Sequence, residues 1–292
     1  MQGLTLVLNA AEGRLQIVLA DESELVCAQD WAASRRGTEL LAPALERIFS
    51  GLRLRFADLE RIACVRGPGG FTGIRLVLAT AAALARASGA LLAGLDYMQA
   101  LALGVRVPEG DNSASHRIWV LQHARRDLAL AQVFAPGFSD ALPRAVSELE
   151  LLKPDHCLQR MREEARDGMR LWALGSALAR HAEFTALAGL ASCVPARLGG
   201  PSPEDLLLLA RHAEYGRRDI EALYARPCDA VVKMDTLTLR QDMPKVEPAP
   251  MPEPGNKTAF GNAEVNKMMQ EREKSKDYSV FLANRDRRIN SM

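Results

Sequence analysis

The sequence predicts a two-lobed α/β fold with mixed sheets, and three observations carry this prediction. The chain has 292 residues, which is enough for one large domain or two modest ones. Its first ninety or so residues follow the order strand, strand, strand, helix, strand, helix, which fits one lobe of a mixed α/β fold. A second series of strand-like segments begins after Val107, so we expect a second lobe there.

Four segments of the first lobe have the pattern of β-strands. Short apolar or alternating runs cover Leu4–Asn9, Leu15–Ala20 and Glu24–Ala28, and polar or glycine-containing turns separate them. The fourth segment, Ile62–Val65, is a continuous apolar run of the kind found in buried strands. We therefore expect a sheet built from these four strands.

Two helices are predicted in the first lobe. Thr38–Ser50 has apolar residues three and four positions apart, which is typical of an amphipathic helix. This apolar stripe consists of Leu41, Ala44, Leu45, Ile48 and Phe49. Pro43 lies within the segment, so the helix is expected to begin later or to bend there. The second helix is alanine-rich and is expected over about Thr72–Ala87.

Three strands and two helices are predicted in the second lobe. The strands are expected at Ile118–Gln122, Asp127–Phe134 and Leu171–Leu174. The helices are expected at Ser176–Ala188 and Pro203–Tyr215, the second with a serine N-cap just before its first proline. The predicted domains are therefore an N-terminal lobe over residues 1–106 and a C-terminal lobe over residues 107–234.

Residues 235–292 differ in composition from the rest of the chain. Five of the seven lysines follow Met234, and Pro244–Pro254 is a proline-rich connector, which favours an extended conformation. We expect residues 235–292 to be a linker and a largely disordered tail. The alternative is a short docking peptide centred on Phe281.

Net charge and cysteine usage exclude some classes of function. The net charge is +1, whereas a protein that binds nucleic acid by itself usually has a basic face. RNA contact is therefore expected only through a partner. The five cysteines are scattered singly, which fits reduced thiols in the cytoplasm. The longest apolar stretch, Ile74–Ala85, is too short to cross a bilayer, so no membrane contact is expected.

The glycine-rich turn Gly67–Gly73 is the most informative local motif. Its glycines permit positive φ angles and close backbone approach, and Thr72 is placed to cap the helix that follows. Free backbone N–H groups at that helix start could bind an anion such as phosphate. The same arrangement could equally be a sharp strand-to-helix turn. The local chemistry leaves both interpretations open.

Established catalytic motifs do not fit this sequence. The turn lacks the third glycine of a dinucleotide-binding fingerprint and the lysine of a Walker loop. No two histidines have the i, i+4 spacing of a helical metal site, so no metal is expected. Ser176 follows Gly175 outside a nucleophile elbow, and no nucleophile–base pair supports a peptidase. We therefore predict no catalytic residues.

Several motifs together resemble one protein family. Gly67–Arg75 reads Gly-Pro-Gly-Gly-Phe-Thr-Gly-Ile-Arg and closely resembles the Gly-Pro-Gly-Ser-Phe-Thr-Gly-Leu/Ile-Arg signature of the TsaB proteins, also called YeaZ. Glu39–Leu45 resembles the helix upstream of that signature, and Val120–Arg126 is similar to the family's strand ending in Asp-Ala-Arg-Arg. Leu223–Pro227 resembles the family's closing segment. The order and spacing agree over about residues 1–230.

The resemblance implies a fold, a process and partners. It implies the actin-like fold of the sugar-kinase/Hsp70/actin superfamily, with two similar α/β lobes. It also implies a non-catalytic subunit that binds and activates TsaD, the protein that attaches threonylcarbamoyl to N6 of the adenosine beside the tRNA anticodon. TsaE is the other implied partner, and a homodimer through the same surface is also implied. The chain alone is expected to bind no cofactor, with ATP or ADP expected only at the partner interface.

The resemblance also implies where the functional residues lie. The candidate nucleotide contacts are those of the signature segment: Gly67, Pro68, Gly69, Gly70, Phe71, Thr72, Gly73 and Arg75. The partner interface is expected on the two helices of the first lobe, where small alanines allow close helix approach. Its expected residues are Leu41, Leu45, Ile48, Leu78, Ala79, Ala82 and Ala83.

Three positions depart from the family pattern. Asn9 stands where this superfamily usually has an acidic residue, and it cannot act as a general base or bind a divalent cation as a carboxylate does. His123 replaces an aspartate of the second lobe, and Gly70 replaces a serine of the signature. These departures favour a scaffold over the alternative, an ATP-dependent phosphotransferase or ATPase that uses Gly67–Gly73.

Overall fold

The computed structural model describes most of the first 224 residues. Described are residues 3–22, 24–33, 36–107, 115–125, 127–137, 141–194 and 200–224. The predicted tail at residues 235–292 lies outside the described residues, as does the docking peptide around Phe281. The domain boundaries proposed from the sequence remain predictions.

The first sheet contains five strands in the order β3-β2-β1-β4-β5. They are β1 Leu4–Asn9, β2 Arg14–Asp21, β3 Glu24–Ala32, β4 Leu59–Gly67 and β5 Leu91–Asp96. Strands β1 to β3 are antiparallel neighbours, whereas β4 and β5 run parallel to β1. The four predicted strands are confirmed. The sequence gave no indication of β5, because the surrounding apolar stretch has no strand-like alternation.

The second sheet repeats the connectivity of the first. It comprises β6 His116–Arg125, β7 Leu128–Ala135, β8 Arg144–Ala145, β9 Glu150–Leu152, β10 Arg170–Leu174 and β11 Ser192–Cys193. Its order is β11-β10-β6-β7-β8, and β9 also pairs with β7. As in the first sheet, an antiparallel hairpin is followed by strands parallel to its first member. The predicted two-lobed α/β fold with mixed sheets is therefore confirmed.

Five α-helices and the two sheets form three hydrophobic cores. The helices are α1 Gly37–Gly51, α2 Phe71–Ser88, α3 Tyr97–Ala102, α4 Pro154–Arg166 and α5 Pro203–Arg211. Helices α1 and α2 cover one face of the first sheet, and α4 covers one face of the second. Helices α3 and α5 belong to a third core that draws residues from both sheets. This shared core places the ends of the two sheets opposite each other.

The helix predicted at Ser176–Ala188 is wrong in type. The structure has two short 3₁₀ segments, Ser176–Ala179 and Ala182–Leu187. They are separated at His181, whose extended backbone (φ −120°, ψ 118°) cannot continue a helix. The His181 side chain is buried and contacts His123, so a tertiary contact accompanies the break.

Helix starts were predicted with mixed success. Ser202 caps α5, as predicted, by accepting a hydrogen bond from the Asp205 backbone N–H at 3.1 Å. The prediction that Thr72 caps α2 is wrong, because the N-cap is Gly70 and no side chain caps this helix. Thr72 instead lies exposed in the first turn.

Candidate functional site

The signature segment, Gly67–Arg75, begins in contact with the closing segment. The Leu223 backbone N–H donates to the Arg66 carbonyl oxygen at 2.8 Å, which joins the closing segment to β4. Gly67 has φ +125°, and a Cβ atom there would lie only 2.3 Å from the Leu223 carbonyl oxygen. Only glycine meets both conditions. Two motifs that lie far apart in the sequence therefore form one structural unit.

The next glycines hold the turn against the β1–β2 connection. A Cβ atom at Gly73 would lie 2.0 Å from the Ala10 carbonyl oxygen, and one at Gly69 would lie 3.0 Å from the Ala11 Cβ. At Gly70 nothing lies within 4 Å of such an atom. The signature therefore requires glycine where α2 begins beside β1, whereas Gly70 has room for the family's serine.

Three side chains form an exposed cluster at the start of α2. The Arg75 guanidinium carbon lies 3.8 Å from the centroid of the Phe71 ring, and Arg75 Nε donates to the Tyr224 hydroxyl at 3.1 Å. The Phe71 and Tyr224 rings stack with centroids 5.6 Å apart. Phe71 is 43% exposed and Tyr224 is 39% exposed. The cluster is a surface feature, and arginine contributes to it through its flat cationic face.

Helix α2 is an apolar helix that mostly faces outwards. Among the described residues it is the one helix whose length and mean hydropathy, 1.2, would suit a membrane span. Only 22% of its residues are buried, and these lie in the cores of the first lobe: Ile74, Val77, Ala81 and Ala85. Of the predicted interface residues, Ala79 and Ala83 are exposed, whereas Leu78 and Ala82 are half-buried. These four positions are accessible on the folded chain.

The predicted interface residues of α1 lie elsewhere. Leu41, Leu45 and Ile48 are each at most 5% exposed and pack in the core beneath the helix. They cannot contact a partner while the lobe is folded, so their assignment to the interface is corrected. The apolar stripe that predicts a helix also marks its inward face, and this consideration outweighs a partner role.

A cleft opens where the strands of both sheets end, and we call it the interlobe cleft. It has a volume of about 440 Å³. Its polar wall combines the β1–β2 turn, the signature segment, the end of β6 and the first 3₁₀ segment after β10. The residues that matter below are Glu12, Gly69, Gln122, His123, Ser176 and Arg180. Ligands of α/β proteins commonly bind at the carboxyl ends of the strands.

Glu12 is the carboxylate of this cleft, and its environment is unusual. Its backbone is left-handed, with φ 50° and ψ 32°, which is uncommon for a residue other than glycine. The carboxylate accepts hydrogen bonds from the Ser176 hydroxyl and from the Tyr97 hydroxyl, the latter at 3.1 Å. Burial raises the pKa of Glu12, and these hydrogen bonds oppose the rise.

The cleft also contains a histidine pair. His123 Nδ1 lies 3.1 Å from His181 Nε2, and the His123 backbone N–H donates to Ser176 Oγ at 2.9 Å. Burial lowers the pKa of His123, and the nearby His181 and Arg180 lower it further. This environment favours a neutral imidazole. Among the described residues, no group of three or more histidines, cysteines or carboxylates could hold a metal ion.

Asn9 has a structural role in the turn beside the cleft. Its Nδ2 donates to Gln16 Oε1 at 2.7 Å, and its Oδ1 accepts from the Ala11 backbone N–H at 2.9 Å. The side chain is fully buried. Both ends of the amide are therefore occupied within the protein.

Sequence reasoning missed the interlobe cleft. It treated His123 and Ser176 as isolated residues and did not consider Glu12 or Arg180. The available signal was positional, because each of these residues follows a predicted strand or glycine turn. Which strand ends meet could be known only from the sheet topology.

The sequence comparisons relate this chain to the proteins that modify tRNA adenosine. A family model described as TsaD, tRNA N6-adenosine threonylcarbamoyltransferase, matches residues 31–150. A curated tRNA N6-adenosine threonylcarbamoyltransferase from Erythrobacter litoralis (strain HTCC2594) is 33% identical over 79 residues. That match covers 27% of this chain and 23% of the relative, so the chain spans less than a quarter of the relative's length.

Two solved structures share the fold over most of the described chain. YeaZ from Pseudomonas aeruginosa has a TM-score of 0.55 and 16% identity, covering 76% of this chain and 100% of that one. A crystal structure described as an uncharacterized protein with similarity to peptidase YEAZ, from the same organism, has a TM-score of 0.58 and 17% identity. It covers 77% of this chain and 100% of that one. With its signature segment, its fold and its sequence relationship to the TsaD family, the chain is a YeaZ-like (TsaB-like) protein.

Proposed function

We propose that this chain is a non-catalytic partner subunit in the biosynthesis of threonylcarbamoyladenosine in tRNA. In this role it binds TsaD as a heterodimer in the cytoplasm and activates the transfer of threonylcarbamoyl to adenosine. TsaE is the third component, and tRNA is contacted only through the complex. The observation that carries the proposal is the outward apolar face of α2, preceded by the family signature.

The exposed face of α2 has the composition of a helix-docking surface. Ala79 and Ala83 lie one helical turn apart, and their small side chains would let a partner helix approach closely. Phe71 adds an exposed aromatic ring at the start of the same helix, and aromatic residues are enriched in interface cores. Arg75 and Arg86 provide charge beside this apolar strip. A second copy of the chain could pair through the same face when TsaD is absent.

The first test is co-purification with TsaD from the same organism. Ala79→Arg and Ala83→Arg place a long cation on the exposed face and should abolish the pairing without unfolding the chain. Ala186→Arg makes the same change at an exposed position of the second lobe and should leave pairing intact. If both α2 variants still co-purify with TsaD as the control does, this placement of the interface is wrong.

The alternative remains an ATP-dependent phosphotransferase or ATPase that uses Gly67–Gly73. Glu12 gives this alternative a carboxylate that the sequence reasoning did not consider. Its oxygens are, however, occupied by the Ser176 and Tyr97 hydroxyls. Efficient ATP turnover by the purified chain alone would favour this alternative. In the main proposal, a nucleotide meets the signature segment only at the TsaD interface.

A further inference from the structure

The interlobe cleft contains an unmet hydrogen-bond acceptor. Gln122 is 2% exposed, and its Nε2 donates to the Pro68 carbonyl oxygen at 3.4 Å and to the Glu12 carboxylate. Both partners are acceptors, so the NH₂ group must face them, and this fixes the orientation of the amide. Gln122 Oε1 then has no donor among the described residues. A buried acceptor without a donor is unfavourable, which points to a ligand that brings one.

The opposite side of the cleft carries an unpaired cation. The Arg180 side chain lines the same cavity as Gln122 and Glu12. Within the described part of the chain it makes neither an ion pair nor a hydrogen bond. A guanidinium presents several donors in one plane and suits a carboxylate, which it can bind through two parallel hydrogen bonds.

We propose that the interlobe cleft binds a small zwitterion of the α-amino-acid type. The ammonium group donates to Gln122 Oε1 beside the Glu12 carboxylate, and the carboxylate of the ligand pairs with Arg180. The side chain of the ligand contacts Leu130 and Ala124, the apolar part of the lining. A volume of about 440 Å³ lies within the range of small-molecule sites.

The charges of the cleft favour a zwitterion over a nucleotide. A nucleoside polyphosphate brings several negative charges, whereas Arg180 is the one cationic side chain in the described lining. The Glu12 carboxylate would repel phosphate oxygens, and the lining contains no lysine. One anionic and one cationic side chain match a ligand with one charge of each sign.

This proposal does not depend on the partner role. The cleft lies between the strand ends, whereas the proposed TsaD surface is the exposed face of α2. Loss of TsaD pairing and loss of amino-acid binding would therefore be separate results.

The test is calorimetric titration of the full chain with the proteinogenic amino acids. At least one is expected to bind in the micromolar to low-millimolar range. For serine, ethanolamine lacks the carboxylate and glycerate lacks the ammonium group. For the tightest amino acid, the corresponding amine and 2-hydroxy acid are expected to bind about tenfold more weakly or worse.

Two matched arginine variants place the ligand in the cleft. Arg180→Gln should weaken binding about tenfold or more, because the ligand carboxylate loses its partner. Arg162→Gln makes the same change at an exposed position of α4 and should bind as the unmodified chain does. Arg180 is itself exposed, so its variant is expected to fold.

Three results would overturn the proposal. The first is no binding by any amino acid below about 10 mM. The second is equal affinity for an amino acid and for its amine or hydroxy acid. The third is ATP binding that Arg180→Gln weakens, which would make the cleft a nucleotide site.

Discussion

Glu12 combines three properties at one position: a left-handed backbone, a buried carboxylate and a place in the wall of the interlobe cleft. Strained and desolvated residues often persist at functional sites, where they cost stability. Burial raises the pKa of Glu12 above its value in the unfolded chain. The native state therefore holds this proton more tightly, and folding stability is lost as pH rises from about 4.5 through the native pKa.

Replacement of this carboxylate should reveal its cost. Glu12→Gln removes the ionisation, so the variant should gain stability relative to the unmodified chain as pH rises from 5 to 8. Urea unfolding at each pH measures the difference. Glu46→Gln, at an exposed position of α1, is the matched control. A Glu12→Gln effect that is the same at both pH values, or that falls as pH rises, would contradict the assigned burial.

Residue identity alone could not reveal the cleft. Glu12, Gln122, Ser176 and Arg180 are common surface residue types, and no short motif contains any two of the first three. Their proximity arises because the ends of β1, β4, β6 and β10 meet. Asn9 was correctly judged unsuited to cation binding, and its hydrogen bonds now give it a role in the turn.

At the scale of the elements, periodicity predicted α1 and α2 well, because each has an apolar stripe at helical spacing. The same stripe led the interface prediction astray at Leu41, Leu45 and Ile48, which face the core. Tertiary contact also overrode the helical pattern at Ser176–Ala188, where His181 turns inward to meet His123. Local pattern indicates that an element exists, but not which contacts interrupt it.

The junction between β4 and α2 yields a matched pair of variants. Gly73→Ser should destabilise the fold by about 1–3 kcal/mol, because its Cβ would meet the Ala10 carbonyl oxygen. Gly70→Ser has open space and could cap α2, so it should be neutral or stabilising by a few tenths of a kcal/mol. Urea unfolding of both variants checks this. Equal destabilisation would show that α2 does not approach β1 as described.

At the scale of the whole molecule, the two lobes repeat one topology around a shared core. Each sheet has a hairpin and parallel strands on its other side, and each lobe has a positive-φ glycine after its second parallel strand, Gly67 and Gly175. The first glycine leads into an apolar helix with a free face, and the second leads into short 3₁₀ segments beside the cleft. The lobes have therefore diverged, one toward a docking surface and the other toward a polar cavity wall.

The sequence could predict the two-lobed fold and the signature segment, because both depend on short-range patterns. It could not predict that Leu223 and Tyr224 pack on Gly67 and Phe71, since that contact requires the chain to return from the second lobe. This return also anchors the start of the proposed docking helix.

The central claim is that the chain acts through TsaD. The most direct measurement is the formation of threonylcarbamoyladenosine in tRNA by purified TsaD and TsaE, with and without this chain. The account predicts product only when the chain is present, a large loss with Ala83→Arg, and none from the chain alone. Full activity of TsaD and TsaE without the chain, or product formation by the chain alone, would contradict it.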